Sequence, residues 1–147
     1  MNTKTLLAAF VGAIAAFFLG WVVFGILMDP IYKEHMISYE GLHKDMEQMG
    51  VSSYIALFVA NLAWSLAIAL ICSWSNMVGF MKGAVIGATI GFLMGLQYDM
   101  FYVALMNMYK DAMIVVIDLI VGAVFSAIIG GIIGWMMGMG KKTTPAM

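Results

Sequence analysis

Two rows of small residues, each with a spacing of four, constrain this chain more than any other feature of its sequence. The first row consists of Gly79, Gly83, Gly87, Gly91 and Gly95, and its next step is Asp99. The second row begins at Asp118 and continues through Gly122, Ser126, Gly130, Gly134 and Gly138. Residues four apart lie on one side of a helix, so the rows predict two helices whose backbones can approach closely.

The composition of the chain is typical of an integral membrane protein. Of the 147 residues, 64% are hydrophobic and 10% are charged, whereas a soluble domain has about 25% charged residues. So few charges cannot cover a surface that faces water, and we expect the lipid bilayer to surround the protein. The net charge of −1 gives no electrostatic basis for a nucleic-acid partner.

Four segments are apolar over the roughly 20 residues that a membrane-spanning helix needs. They are residues 5–28, 54–73, 81–106 and 112–137. The first segment has a longer apolar run than a signal peptide and no small-x-small cleavage site after it, so we expect it to be retained. We therefore predict an all-α fold, a membrane four-helix bundle that forms one domain over residues 1–147, with a short C-terminal tail at 138–147.

The lysines predict the orientation of the four spans. One side of the predicted membrane holds Lys4, Lys82, Lys141 and Lys142 with no acid among them, and on the other side acids outnumber the lysines. Positively charged loops stay in the cytoplasm. We therefore expect both termini to be cytoplasmic.

The segment 29–53 is the one substantial piece expected outside the membrane. Asp29-Pro30 is typical of a helix start, with proline at the first helical position. An apolar stripe with helical spacing follows, formed by His35, Tyr39, Leu42, Met46 and Met49. We predict an amphipathic helix that lies on the outer membrane surface or caps the bundle.

The two acids are the main candidates for a functional site. Asp99 is eight residues before Asn107, which is about 12 Å along a helix, and Asp118 lies at a depth of about 10 Å. An acid inside the membrane costs about 2.5–3.5 kcal/mol on insertion scales and faces the bundle interior by default. Two such acids on neighbouring helices are expected to share a proton and titrate as a unit. A proton-coupled carrier or a cation site needs this chemistry.

Polar residues near the depth of the acids are the expected partners. Asn61, Tyr98 and Tyr102 lie near that layer and are predicted to orient the two carboxyls. In the alternative interpretation each carboxyl is neutral and hydrogen-bonds these same groups, which locks the bundle without binding a ligand. The sequence leaves both interpretations open.

The glycine rows carry a second hypothesis, a structural or assembly protein. They pack the third span on the fourth, or they form the interface of a homo-oligomer. Each step of four advances about 40° around a helix, so the first row winds roughly 200° from Gly79 to Asp99. From this winding we expect the inner glycines Gly79, Gly83 and Gly87 to face a different neighbour from Gly95 and Asp99.

A third hypothesis is a membrane protein that binds metal. His35, His43 and Glu47 are the candidate ligands, and Glu40 with His43 forms an E-x-x-H motif. Thioethers suit Cu(I), and four methionines fall near the turn between the last two spans: Met100, Met106, Met108 and Met113. The sequence identifies no cofactor and contains no serine–histidine–acid set or phosphate loop, so an enzyme is less expected than a binding protein.

The residues 79–135 resemble families of small four-helix bacterial membrane proteins of unknown function. Those families carry Tyr-Asp in the third helix, here Tyr98-Asp99, and an aspartate before a glycine row in the fourth, here Asp118 before Gly122. Two positions depart from the pattern, because Tyr102 stands where an asparagine is common and Val121 where a tryptophan is common. The resemblance implies the four-helix architecture and singles out the two aspartates, but it implies no reaction.

Overall fold

The computed structural model describes residues 2–40, 44 and 48–139. The helices are α1 (Thr3–Val22), which continues into a π-helical turn (Val23–Leu27), α2 (Asp29–His35), α3 (Val51–Trp74), α4 (Phe80–Leu105) and α5 (Met113–Gly138). By length and composition, α1 with its π-helical turn and the helices α3, α4 and α5 can each cross a membrane. The prediction of an all-α bundle of four spanning helices is confirmed, and the chain is a small integral membrane protein.

The exterior of the bundle consists of large apolar side chains. Phe18 on α1 is 62% exposed, Leu93 on α4 is 57% exposed and Ile120 on α5 is 60% exposed. Monomeric soluble proteins rarely expose contiguous apolar patches of this kind. The exposed surface therefore matches the hydrocarbon region of a bilayer.

Helices α1, α3 and α5 pack on one another, whereas α4 packs almost entirely on α5. Small residues on α1 allow the first of these contacts, since Ala9, Ala13 and Ala16 are buried in it. At Gly12 the three helices converge, because a Cβ atom there would lie 2.6 Å from Cγ1 of Ile133 and 3.3 Å from Cβ of Ser65. Glycine at this position is what brings α1 against both of its neighbours.

The closest approach of any two helices is between α4 and α5, along the two rows of small residues. A Cβ atom at Gly83 would lie 2.8 Å from Cα of Gly134. A Cβ atom at Gly87 would lie 3.0 Å from Cα of Gly130 and would overlap the carbonyl oxygen of Ser126. Each step of four up α4 is matched by a step of four down α5, so the rows set the register of this antiparallel pair.

The glycine row of α4 keeps the same neighbour along its length, so the predicted change of neighbour is wrong. A Cβ atom at Gly95 would lie 3.3 Å from Cδ2 of Leu119 on α5, and the amide of Gly79 donates to the carbonyl of Gly134 at 2.8 Å. The prediction treated the partner as a straight rod. Rows with a spacing of four are inclined to the helix axis, so two helices that both carry them stay in contact when they cross at an angle.

The helix between α1 and α3 is shorter than the apolar stripe predicts. It ends at His35, and Met36 is extended, with φ −107° and ψ 150°. The next amide, Ile37 N–H, donates to the carbonyl of Met108 at 2.7 Å. Pairing with the α4–α5 connection therefore replaces the expected helical bonds. Of the rest of the stripe, Leu42 and Met46 lie outside the described residues.

We refer to residues 34–39 as the strap, because they fasten α2 to the α4–α5 connection. The amide of Lys110 donates to the carbonyl of His35 at 2.9 Å, and this is the second backbone hydrogen bond between the two segments after the one from Ile37 to Met108. The Lys110 Nζ donates to the carbonyl of Glu34 at 2.8 Å, and Tyr39 Oη donates to the carbonyl of Asn107 at 2.6 Å. The strap thus crosses the end of the bundle where α4 stops and α5 starts, which we term the strap end.

Substituting Gly87 with alanine tests the α4–α5 contact. The new methyl group meets the backbone of Ser126 and Gly130, which cannot move aside as a side chain can, so we expect a destabilisation of about 1–3 kcal/mol. The measurement is reversible unfolding in detergent–lipid micelles.

The matched control is Gly122→Ala on α5, where a Cβ atom meets nothing within 4 Å. Alanine is the better helix former by about 1 kcal/mol, so this variant should be neutral or more stable. Equal losses of stability in the two variants would contradict the contact.

Candidate functional site

The glycine register brings Asp99 and Asp118 together. Gly83 lies against Gly134, Gly87 against Gly130 and Gly91 against Ser126. Two further steps of four along each row reach Asp99 on α4 and Asp118 on α5, at the strap end of the pair. The two acids therefore occupy matching positions of the antiparallel pair.

Each acid accepts a hydrogen bond from a tyrosine that lies outside the spanning helices. Tyr109 Oη donates to Asp99 Oδ1 at 2.8 Å, and Tyr32 Oη donates to Asp118 Oδ1. Asp99 is only 4% exposed, and its second oxygen, Oδ2, has no partner among the described residues. We refer to Asp99, Asp118, Tyr32 and Tyr109 as the acid–phenol cluster.

Local structure at the strap end explains why these two tyrosines reach the acids. The π-helical turn (Val23–Leu27) precedes Asp29-Pro30, and a π-turn and a proline are both common causes of a change in helix direction. Tyr32 lies one turn into the α2 helix that follows. Tyr109 pairs with Met36 of the strap across an isolated antiparallel bridge. Both phenols are therefore positioned by α2 and the strap, and both acids by the glycine rows.

The two phenols remain neutral donors over the physiological range. Burial is the main cause that raises the pKa of Tyr32 above its ordinary value of 10.0, and the hydrogen bond to Asp118 raises it further. Burial also raises the pKa of Tyr109, followed by its hydrogen bond to Asp99. A neutral phenol has one hydrogen to donate. Each acid thus accepts a hydrogen bond from a neutral phenol at one of its two oxygens.

The acids have different partners from those expected from the sequence. The Asn61 amide donates to the carbonyl of Leu57 in its own helix at 2.8 Å. Tyr98 is 54% exposed, because adjacent helical residues point about 100° apart and its neighbour Asp99 faces α5. Tyr102 contacts neither acid, but its ring packs edge-on against that of Tyr109, with 6.5 Å between the ring centroids.

The metal candidates do not form a site in the part of the chain that the structure describes. No group of three or more potential His, Cys, Asp or Glu ligands occurs there. His35 Nδ1 lies 2.8 Å from Asp111 Oδ2, while His43 and Glu47 lie outside the described residues. Among the methionines near the turn, Met108 is buried, and the other three are exposed: Met100, Met106 and Met113.

The His35–Asp111 pair fastens the strap to the start of α5. Asp111 uses both oxygens, because Oδ1 also accepts the amide of Met113 in the first turn of α5, at 2.9 Å. The hydrogen bond from His35 is the main cause that lowers the pKa of Asp111 below its ordinary value of 3.8. The carboxylate is therefore ionised at any physiological pH, and it joins the strap to the first turn of α5.

Comparison with known proteins finds no matching protein-family model, no matching curated protein and no matching solved structure.

The phenols of the cluster can be counted by alkaline titration. Because Tyr32 and Tyr109 have raised pKa values, we expect Tyr32→Phe and Tyr109→Phe to leave the tyrosinate absorbance of the folded protein unchanged up to about pH 11. In denaturant, each variant should lose the amplitude of one tyrosine out of six. If either variant loses that amplitude in the folded protein near pH 10, its phenol is not held in the cluster.

The strap should loosen in acid. Since the pKa of Asp111 is lowered on folding, the pair stabilises the strap above about pH 4 and is lost as the pH falls below that value. Hydrogen exchange, corrected for intrinsic rates, should show Ile37 and Lys110 losing protection there, while α4 amides serve as the internal reference. Asp111→Asn should remove this step, and an unchanged step in that variant would exclude Asp111 as its cause.

Proposed function

We propose that this protein is a binding or transport-type membrane module whose acid–phenol cluster holds a proton or a small cation. The observation that carries the proposal is the Oδ2 atom of Asp99, which is buried without a hydrogen-bond partner beside a second carboxyl. Asp99 and Asp118 are the binding groups. Tyr32 and Tyr109 orient them, and Tyr102 supports Tyr109.

The energetics favour an occupied site over an empty one. A buried ionised carboxylate without a partner is strongly destabilising, and a second carboxylate nearby adds repulsion. One proton shared between the two acids removes both costs. A bound metal ion would need more oxygen ligands, since a cation such as Ca²⁺ takes 6–8 of them. The proton is therefore the first-choice ligand, and a monovalent cation is the second.

The lysine distribution supports an orientation for this site. With Lys4 and Lys82 on the cytoplasmic side, the strap end faces outward, and the acids lie about 10–12 Å below the outer surface. The strap then separates the site from the outer solution. The resemblance to small bacterial four-helix families supports a bacterial cytoplasmic membrane as the location.

The two alternative functions draw less support. The glycine rows are engaged between α4 and α5 of one chain, so an assembly role has to use another surface. A metal-binding role has to recruit His35 from its contact with Asp111. Neither alternative explains why two acids meet in the membrane with phenols donating to both.

Infrared spectroscopy of the protein in lipid tests the proposal. We expect a protonated-carboxyl C=O band at neutral pH that shifts on exchange into D₂O and is lost in Asp99→Asn and in Asp118→Asn, because the two acids share the proton. If a cation occupies the site instead, the band is absent, and Na⁺ or K⁺ binding measured by calorimetry is lost in the same variants.

The matched control is Asp29→Asn, which removes an acid that is paired with Lys33 outside the membrane. This variant should keep the band. Absence of both a protonated carboxyl and cation binding in the folded wild-type protein would sink the proposal, and so would a band unaffected by either aspartate substitution.

A further inference from the structure

The face of α4 that points away from α5 forms an open apolar groove. Leu93, Met100 and Phe101 line it, and Gln97 lies among them. These apolar side chains are exposed in the single chain, and α4 has no extensive contact with any helix other than α5. Gln97 is eight residues before the last residue of α4, which places it about 12 Å along the helix from the strap end and within the expected hydrocarbon region.

The spacing on this face is that of a helix–helix interface. Leu93, Gln97, Met100 and Ala104 follow one another at intervals of four, three and four. Intervals of four and three keep these residues on one face of the helix, as at the core positions of a packed pair of helices. A polar residue at one core position of such a pair sets its register and its number of strands. Gln97 occupies that kind of position.

Gln97 makes no hydrogen bond within its own helix, in contrast to two other polar side chains of the spanning helices. Thr89 donates to the carbonyl of Val85 at 2.9 Å, and Asn61 donates to the carbonyl of Leu57, so each is satisfied within its own helix. The Gln97 amide makes no hydrogen bond to any described residue. Lipid offers no partner to its two donors and its acceptor.

We propose that this face of α4 binds the same face of a second copy of the chain, with Gln97 paired to Gln97. Copies inserted in the same orientation are related by a two-fold axis along the membrane normal, so each residue on the axis lies at the same depth as the identical residue of the other copy. A glutamine amide is self-complementary, because each one donates to the carbonyl oxygen of the other. Ala104, two turns nearer the strap end than Gln97, is small enough to let the helices approach there. The glycine rows remain inside each copy.

Self-association is measured by energy transfer between two labelled populations of the full chain in liposomes over a range of protein-to-lipid ratios. We expect a dimer for the wild-type chain and a dissociation constant about ten-fold higher for Gln97→Leu, given the strength of interhelical hydrogen bonds in membranes. Thr89→Val is the matched control, since it removes an exposed polar group that is already satisfied, and it should dimerise like the wild type.

Cysteine cross-linking locates the interface independently of the glutamine. Ala104→Cys should form a disulfide between copies, whereas Val103→Cys, at the same depth but rotated about 100° around the helix, should not. A monomer at every ratio would overturn the proposal. Equal cross-linking at both positions, or dimerisation unchanged in Gln97→Leu, would also overturn it, as would association that requires a different protein.

Discussion

The backbone-to-backbone contact between α4 and α5 is the interaction on which the rest of the structure depends. Lipid tails are as apolar as the side chains, so helices in a bilayer associate through close packing rather than through a hydrophobic driving force. Glycines at Gly83, Gly87, Gly130 and Gly134 allow an approach that a single added carbon would prevent. Because both rows have the same spacing, the contact also fixes a register, and that register ends at Asp99 and Asp118.

The acid–phenol cluster is formed by residues from two different parts of the fold. The membrane helices supply the acids, and α2 with the connection between α4 and α5 supplies the phenols. The strap joins the two, through the Ile37–Met108 backbone bond and the His35–Asp111 pair. The strap and the two carboxyls are therefore connected through the phenols by hydrogen bonds.

Sequence patterns predict the spanning helices, the small-residue rows and the two acids, because each of these depends on local spacing and composition. They do not predict the phenols, since Tyr32 and Asp118 are 86 residues apart in the chain and meet only when α2 packs against α5 in the fold. The strap itself escapes prediction, because its backbone pairing overrides a stripe that favours helix from His35 to Met49. The predicted change of neighbour along the glycine row fails for a geometric reason, since two inclined rows follow each other.

A double-mutant cycle on Asp99→Asn and Asp118→Asn tests the central claim most directly, which is that the α4–α5 register makes the two acids one unit. The free energy of unfolding of the wild type, both single variants and the double variant is measured in detergent–lipid micelles. Groups in contact typically show a coupling energy of about 0.5–3 kcal/mol. We predict a coupling in this range, because neutralising one acid removes the other's competitor for the proton. Additive effects, with no coupling, would show that the acids act separately and would contradict the account.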